Sequence, residues 1–311
     1  MISPARAVSG IFLTVLVALL SFPASATIVP GPLVDTAWLK GNLGAPGVAI
    51  IDIRGGKAAA QSFSEAHIPG AVHAPYGGEW RTERNGVVGM LPEVEVLSGY
   101  ISGLGVSNAS SVVIVPAGSG ASEFGAAARV YWTFKFLGHD DVTILDGGWN
   151  AWLEDSANPV ASGPAKIEQA TFMAKPRPEI LVETDEVAGE VGTQTILVDA
   201  RPDKQFTGAA KHARAVRAGH IPGALSIDQA QFYSTAANRL KPREEIASLV
   251  PASLKADDAD IISYCNTGHW AATNWFVLSE VLGLGKVRLY DASMVGWTRN
   301  DALPVAATVQ P

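Results

Sequence analysis

A single cysteine, Cys265, is all that the sequence holds, so no internal disulfide can form and the thiol needs another account. Basic residues are sparse as well: 23 Lys and Arg stand against 30 Asp and Glu, for a net charge of -7, and they form no run. A chain without a basic field has nothing to hold a polyphosphate backbone, which argues against nucleic acid as a partner. Charged residues make up 17% and apolar residues 48% of the chain, the proportions of a globular protein and not of a disordered one. Long apolar runs are missing apart from one, Gly10 to Leu20, which follows Arg6 and precedes Pro23 and Ala24-Ser25-Ala26. That run is short of the roughly 17 to 25 residues that span a bilayer, and its order of charge, apolar stretch and AxA site is that of a secretory signal. The expectation is that residues 1–26 are cleaved and the remainder is exported to the periplasm with no membrane span.

What is present is a repeat. "AIIDIR" ending at Arg54 matches "ILVDAR" ending at Arg201, "AHIPGA" around His67 matches "GHIPGA" around His220, and "ILDGGWNAW" around Asp146 matches "LYDASMVGW" around Asp291. Two copies of one fold are therefore expected, over 27–160 and 179–311, joined by an irregular linker at 161–178. Short apolar runs (Val48 to Ile53, Val112 to Val115, Ile196 to Val198, Ile261 to Tyr264) fit strands buried on both faces. They alternate with helical patterns at Phe124 to Leu137 and Ala271 to Leu282, each closed by glycine, so the fold class is α/β with parallel strands. Right-handed crossovers place the loops after the strands on one edge of each sheet, where chemistry is expected.

Features shared by both copies are explained by the fold, and chemistry housed in one copy must show as a difference. Asp52/Arg54 and Asp199/Arg201 occur in both, as do His67 and His220, which reads as strand-end bracing and turn histidines. Two differences remain. The strand ending at Tyr264 runs into Cys265-Asn266-Thr267-Gly268-His269-Trp270, whereas its counterpart runs into Pro116-Ala117-Gly118. The second copy also carries a longer Asp-to-His segment that adds Lys204, Lys211, His212, Arg214 and Arg217. A cysteine between a buried strand and a glycine-containing loop can be ringed by backbone amides that favour the thiolate, which is the reactive form. A buried structural thiol is the alternative.

On "VDAR" at 198–201, "GHIPGA" at 219–224, "SYCNTGHWA" at 263–271 and "RVYWTFKFLGHDDVTILDGGWNAWL" at 129–153, the chain resembles the tandem-domain rhodanese family of thiosulfate and 3-mercaptopyruvate sulfurtransferases. The resemblance implies two rhodanese-like domains, each a mainly parallel five-stranded sheet flanked by helices, with an inactive N-terminal copy and an active site near the domain interface. It implies that Cys265 takes the outer sulfur of a small anionic donor as a persulfide and passes it to a thiol or cyanide acceptor, or to a protein acceptor, without metal or organic cofactor. Asn266, Thr267, Gly268, His269 and Trp270 are then the substrate-binding loop. They match neither the basic loop of thiosulfate users nor the small, glycine-rich loop of mercaptopyruvate users. Gln205 stands where relatives place a substrate-binding arginine, and Arg214 falls where a second one is kept, so Arg214 is the expected anion contact.

Rival readings are separable. A phosphatase loop of the form CX5R needs arginine at the position held by Ala271, which removes bidentate phosphate recognition. A Cys-His hydrolase requires a base against the thiol, which the sequence does not place. A non-enzymatic sulfur or selenium carrier loaded by a partner, or a binding module, keeps the loop and lacks turnover of a small donor.

Overall fold

The computed structural model describes residues 29–55 and 63–308; the expected signal segment, 1–26, lies outside them. Each half is built on a five-stranded, fully parallel sheet. In the N-terminal half the strands run Leu33–Val34, Val142–Leu145, Ser111–Val115, Val48–Asp52 and Ala71–His73 across the sheet. The C-terminal half repeats that order with Leu181–Val182, Val287–Tyr290, Ile261–Tyr264, Ile196–Asp199 and Leu225–Ser226. The central strands, SVVIV and IISY, are buried at every residue, as β-branched runs covered on both faces must be.

The shared residues brace the strand ends in the same way twice. Arg54 binds Asp52 at 2.6 Å and the Ala66 carbonyl at 3.0 Å, and Arg201 binds Asp199 at 2.6 Å and the Gly219 carbonyl at 2.8 Å. His67 and His220 each use Nδ1 against a backbone carbonyl at 2.7 Å, that of Phe63 or Phe206, and stack on the same phenyl ring. The 161–178 segment is irregular but fastened to the N-terminal half, with Phe172, Lys175 and Arg177 donating their amides to Ser102, Leu137 and Phe136.

Helix Ala121–Phe136 sits between the halves and is buried nearly all round. Phe124 and Tyr131 meet Phe276 of the C-terminal half, while Phe134 meets Trp80 and Phe172. The largest of the apolar clusters therefore runs through both halves, with a smaller one on the far side of each sheet. The helix stops at a Schellman arrangement, in which Gly138 at φ 81° and the His139 amide close onto the Lys135 and Phe134 carbonyls. The other anticipated helix, Ala271 to Leu282, differs in detail. It starts at His269, and after Trp275 it widens into a π-helix over Phe276–Val281. The change falls where neighbouring rings are pinned in different places, Trp275 by its indole bond to the Val287 carbonyl at 2.9 Å and Phe276 by the aromatic contacts across the interface.

Candidate active site

Cys265 opens the loop that follows the central strand Ile261–Tyr264. Its side chain is 1% exposed, yet it lines a cleft of about 210 Å3 together with Asn266, Thr267, His269 and Trp270. The opposite wall comes from the N-terminal half, as Tyr76, Arg81 and Ser122, and the inserted segment adds His212. The thiol is thus at the bottom of an interdomain cleft sized for a small molecule.

The loop's backbone is organised by what its carbonyls bind. Those of Cys265 and Asn266 accept from the amides of Met294 at 3.1 Å and Val295 at 3.0 Å. The Thr267 carbonyl accepts from Arg81, and that of Gly268 from Arg129 at 3.3 Å. Ser293 Oγ accepts from the amides of Cys265 at 3.0 Å and Gly268 at 3.2 Å, while donating to the Tyr290 carbonyl at 2.8 Å. The amides of Asn266, Thr267, His269 and Trp270 have no hydrogen-bond partner among the described residues. Amides that face a cleft without a protein acceptor can donate to a bound anion, so this stretch is suited to an anionic sulfur or donor group.

The other half supports that reading. There the amides of Trp149 and Asn150 bind the Pro116 and Ala117 carbonyls at 2.8 and 3.0 Å, which reproduces the loop. The amides of Ala117 and Gly118 donate to the Glu123 carboxyl group at 2.7 and 2.9 Å. Burial raises the Glu123 pKa, and the amides of Ala117, Gly118 and Ser119 oppose that rise. Glu123 lies three residues past its helix-cap glycine, Gly120. Three past Gly268 is Ala271, which leaves the matching amides open.

Gly268 itself does not line the cleft. Its φ of 72° and the absence of a Cβ let the loop approach Arg129 and Asp291; a Cβ there would stand 2.5 Å from Asp291 Oδ1. Arg129 and Asp291 join the halves behind the loop at 2.6 Å, both buried. Burial works against the Arg129 cation, yet the Asp291 carboxylate, with Tyr76 and Cys265 adding to it, leaves its pKa raised.

His269 is tied to the opposite wall. Its Nε2 lies 2.7 Å from the Ser122 carbonyl and its Nδ1 2.8 Å from Tyr76 Oη. Burial first, and then the Arg81 charge, lower its pKa to about 4. The neutral ring must donate from Nε2 to the carbonyl, so Nδ1 accepts from the Tyr76 hydroxyl. Trp270 donates its indole N–H to Ser122 Oγ at 3.0 Å. Both side chains therefore clamp the loop against helix Ala121–Phe136.

Arg214 departs from expectation. It is absent from the residues lining the cleft, and its guanidinium, on a side chain 57% exposed, binds Glu83 of the N-terminal half at 3.0 Å. The inserted segment reaches the cleft through His212 instead, and Gln205 accepts from Asn266 Nδ2 at 2.8 Å. Sequence reasoning also passed over Ser293, although a signal existed: the repeat places it opposite Gly148, and both take positive φ, 48° and 57°. Tyr76, Arg81 and Ser122 carried no such signal, since only the docking of the halves brings them to the thiol.

Comparisons with known proteins place the chain in a family. The profile of the rhodanese-like domain matches residues 35–155 and 183–300. The chain belongs to the rhodanese family. A Mycolicibacterium smegmatis protein named "Putative thiosulfate sulfurtransferase" is 33% identical, over 87% of this chain and 95% of that one. Among solved structures, SseA from Escherichia coli, described with the 3-mercaptopyruvate sulfotransferases, is 26% identical with a TM-score of 0.73, covering 85% of this chain and 98% of that one. The sulfur transferase subunit of yeast mitochondrial complex I is likewise 26% identical, with a TM-score of 0.74 and coverages of 89% and 99%. This rhodanese-family chain is a sulfurtransferase, carrying two domains of one fold and one cysteine.

Proposed function

We propose that the protein moves sulfane sulfur from a small anionic donor to a thiophilic acceptor through a persulfide on Cys265. The Cys265 thiolate attacks the outer sulfur of a thiosulfate-type donor; a new S–S bond forms, and the old one breaks with its electron pair leaving on sulfite. A thiol or cyanide then takes the outer sulfur and returns the thiolate. The observation that carries this reading is the contrast between the two loops: one has its amides filled by Glu123, while the other presents open amides beside the lone thiol. Asn266, Thr267, His269 and Trp270 form the donor's seat, and Gly268 gives the loop its turn. Export to the periplasm after removal of residues 1–26 belongs to the same proposal, and N-terminal sequencing of the mature protein tests it.

Intact-mass measurement after thiosulfate treatment tests the chemistry. The expected result is an adduct of about 32 Da, one sulfur atom, lost with cyanide and absent from Cys265→Ser, with sulfite released in equal amount. Sulfur acceptance from a partner protein alone would make the chain a carrier, and no adduct with any sulfane donor would defeat the proposal.

A further inference from the structure

We infer that Arg81, supplied by the N-terminal copy, is the residue that recognises the anionic end of the sulfur donor. The inference deepens the proposed function and rests on it. The N-terminal domain thereby becomes part of the substrate site instead of a spent duplicate.

The argument begins with charge. Of the side chains lining the cleft, Arg81 alone is permanently charged. His269 is neutral near pH 7, with its pKa at about 4. His212 is held below the usual histidine value by burial and then by Arg214, Arg81 and Lys211. The other arginines around the site are already committed to carboxylates: Arg129 to Asp291, Arg201 to Asp199 and Arg214 to Glu83. Arg81 makes no ion pair with a carboxylate among the described residues, so its charge is left for the thiolate and for an anionic ligand in the cleft.

Geometry gives that charge a direction. Arg81 follows the short turn Gly78–Trp80 and leads into strand Thr82–Arg84, which pairs with Val87–Met90. Its Nε and Nη2 bond the Gly89 carbonyl at 3.1 and 3.0 Å, and Nη2 also bonds the Thr267 carbonyl. Gly89, at φ 81°, has no Cβ to collide with the guanidinium. Nη1 has no hydrogen bond among the described residues. A planar fork anchored on two carbonyls offers its remaining N–H groups in fixed positions, and the second of those carbonyls is two residues from the nucleophile. The donor's sulfonate or carboxylate would be held by Arg81 while Cys265 meets its outer sulfur, and the charge retained on the leaving anion would stay on the same contact.

Charge-matched alkylation separates recognition from bracing. Iodoacetate and iodoacetamide have nearly the same size and alkylate the same thiol, but only iodoacetate is anionic. The ratio of their rate constants at Cys265 is expected to fall about tenfold in Arg81→Gln, a loss in keeping with one charge-assisted contact. Arg81→Lys should recover part of it, and KM for thiosulfate should rise in step while kcat changes less. A ratio within about twofold of the native value, including the case where both reagents slow in proportion, would mean that Arg81 only braces Thr267 and would overturn the inference. Should Arg81→Gln fail to fold, Arg81→Met, which removes the charge but keeps most of the side-chain volume, decides by the same ratio. A native protein that prefers iodoacetate yet takes no sulfur from thiosulfate would instead sink the sulfurtransferase reading, and the donor assignment with it.

Discussion

Arg129 of the N-terminal half and Asp291 of the C-terminal half meet at 2.6 Å with both side chains buried, directly behind the cysteine loop. Arg129 also reaches the Gly268 carbonyl, and Asp291 accepts the Leu91 amide at 2.7 Å. One ion pair thus ties the two halves and the loop together.

Removing one member leaves the other charged and dry. Asp291→Ala is expected to lower the unfolding free energy by about 3–5 kcal/mol, measured by urea denaturation. An Arg129→Met/Asp291→Leu double variant should recover much of the loss. If the double variant is no more stable than the single one, the pair is not the cause.

Ser293→Ala deletes the one oxygen that accepts from both the Cys265 and Gly268 amides. With two buried donors unpaired, the expected cost is about 2–4 kcal/mol. Sulfur loading of Cys265 should slow along with it. Unchanged stability and loading would show that the loop holds its shape without the hydroxyl.

Gly268→Ala brings a Cβ against the buried pair at a φ of 72°. The left-handed conformation alone costs a non-glycine residue about 1–2 kcal/mol, and the collision adds to it. The variant is expected to melt earlier and to react slowly with alkylating agents. Gly283→Ala provides the comparison, since its φ is 77° but nothing lies within 4 Å of its Cβ position. Equal losses in the two variants would remove the Arg129–Asp291 contact as a cause.

His269 gives the fold a pH dependence of predictable sign. Its folded pKa, about 4, lies below the ordinary 6.5, so between those values the unfolded chain binds the extra proton. Stability is therefore fully present above about pH 6.5 and is lost as the pH falls toward 4. The expected loss is on the order of 3 kcal/mol. Urea titrations of the native protein and His269→Asn across this range should diverge, with the variant flatter. Parallel profiles would count against the assignment.

Much of this was legible from the residue order. The repeat made both halves visible, the apolar runs gave the buried parallel strands, and the difference between "YCNTGHW" and "VPAGSG" located the thiol. The Ser293–Gly148 difference was equally visible but carried no meaning until Ser293 Oγ was seen bonding two loop amides. Arg214 misled because a basic residue in the right stretch of chain need not face the cleft. Its partner Glu83 lies 131 positions away, and sequence spacing holds no information about such a pairing.

The sequence by itself determined the class of fold, the two copies and the position of the one cysteine, because local periodicity and the presence or absence of a cysteine are properties of the chain order. Only the tertiary structure decided which surroundings that cysteine receives. Tyr76, Arg81 and Ser122 reach it because helix Ala121–Phe136 carries apolar side chains on opposite faces and buries itself between the two halves. That burial closes the halves on one another and places N-terminal side chains opposite the C-terminal loop.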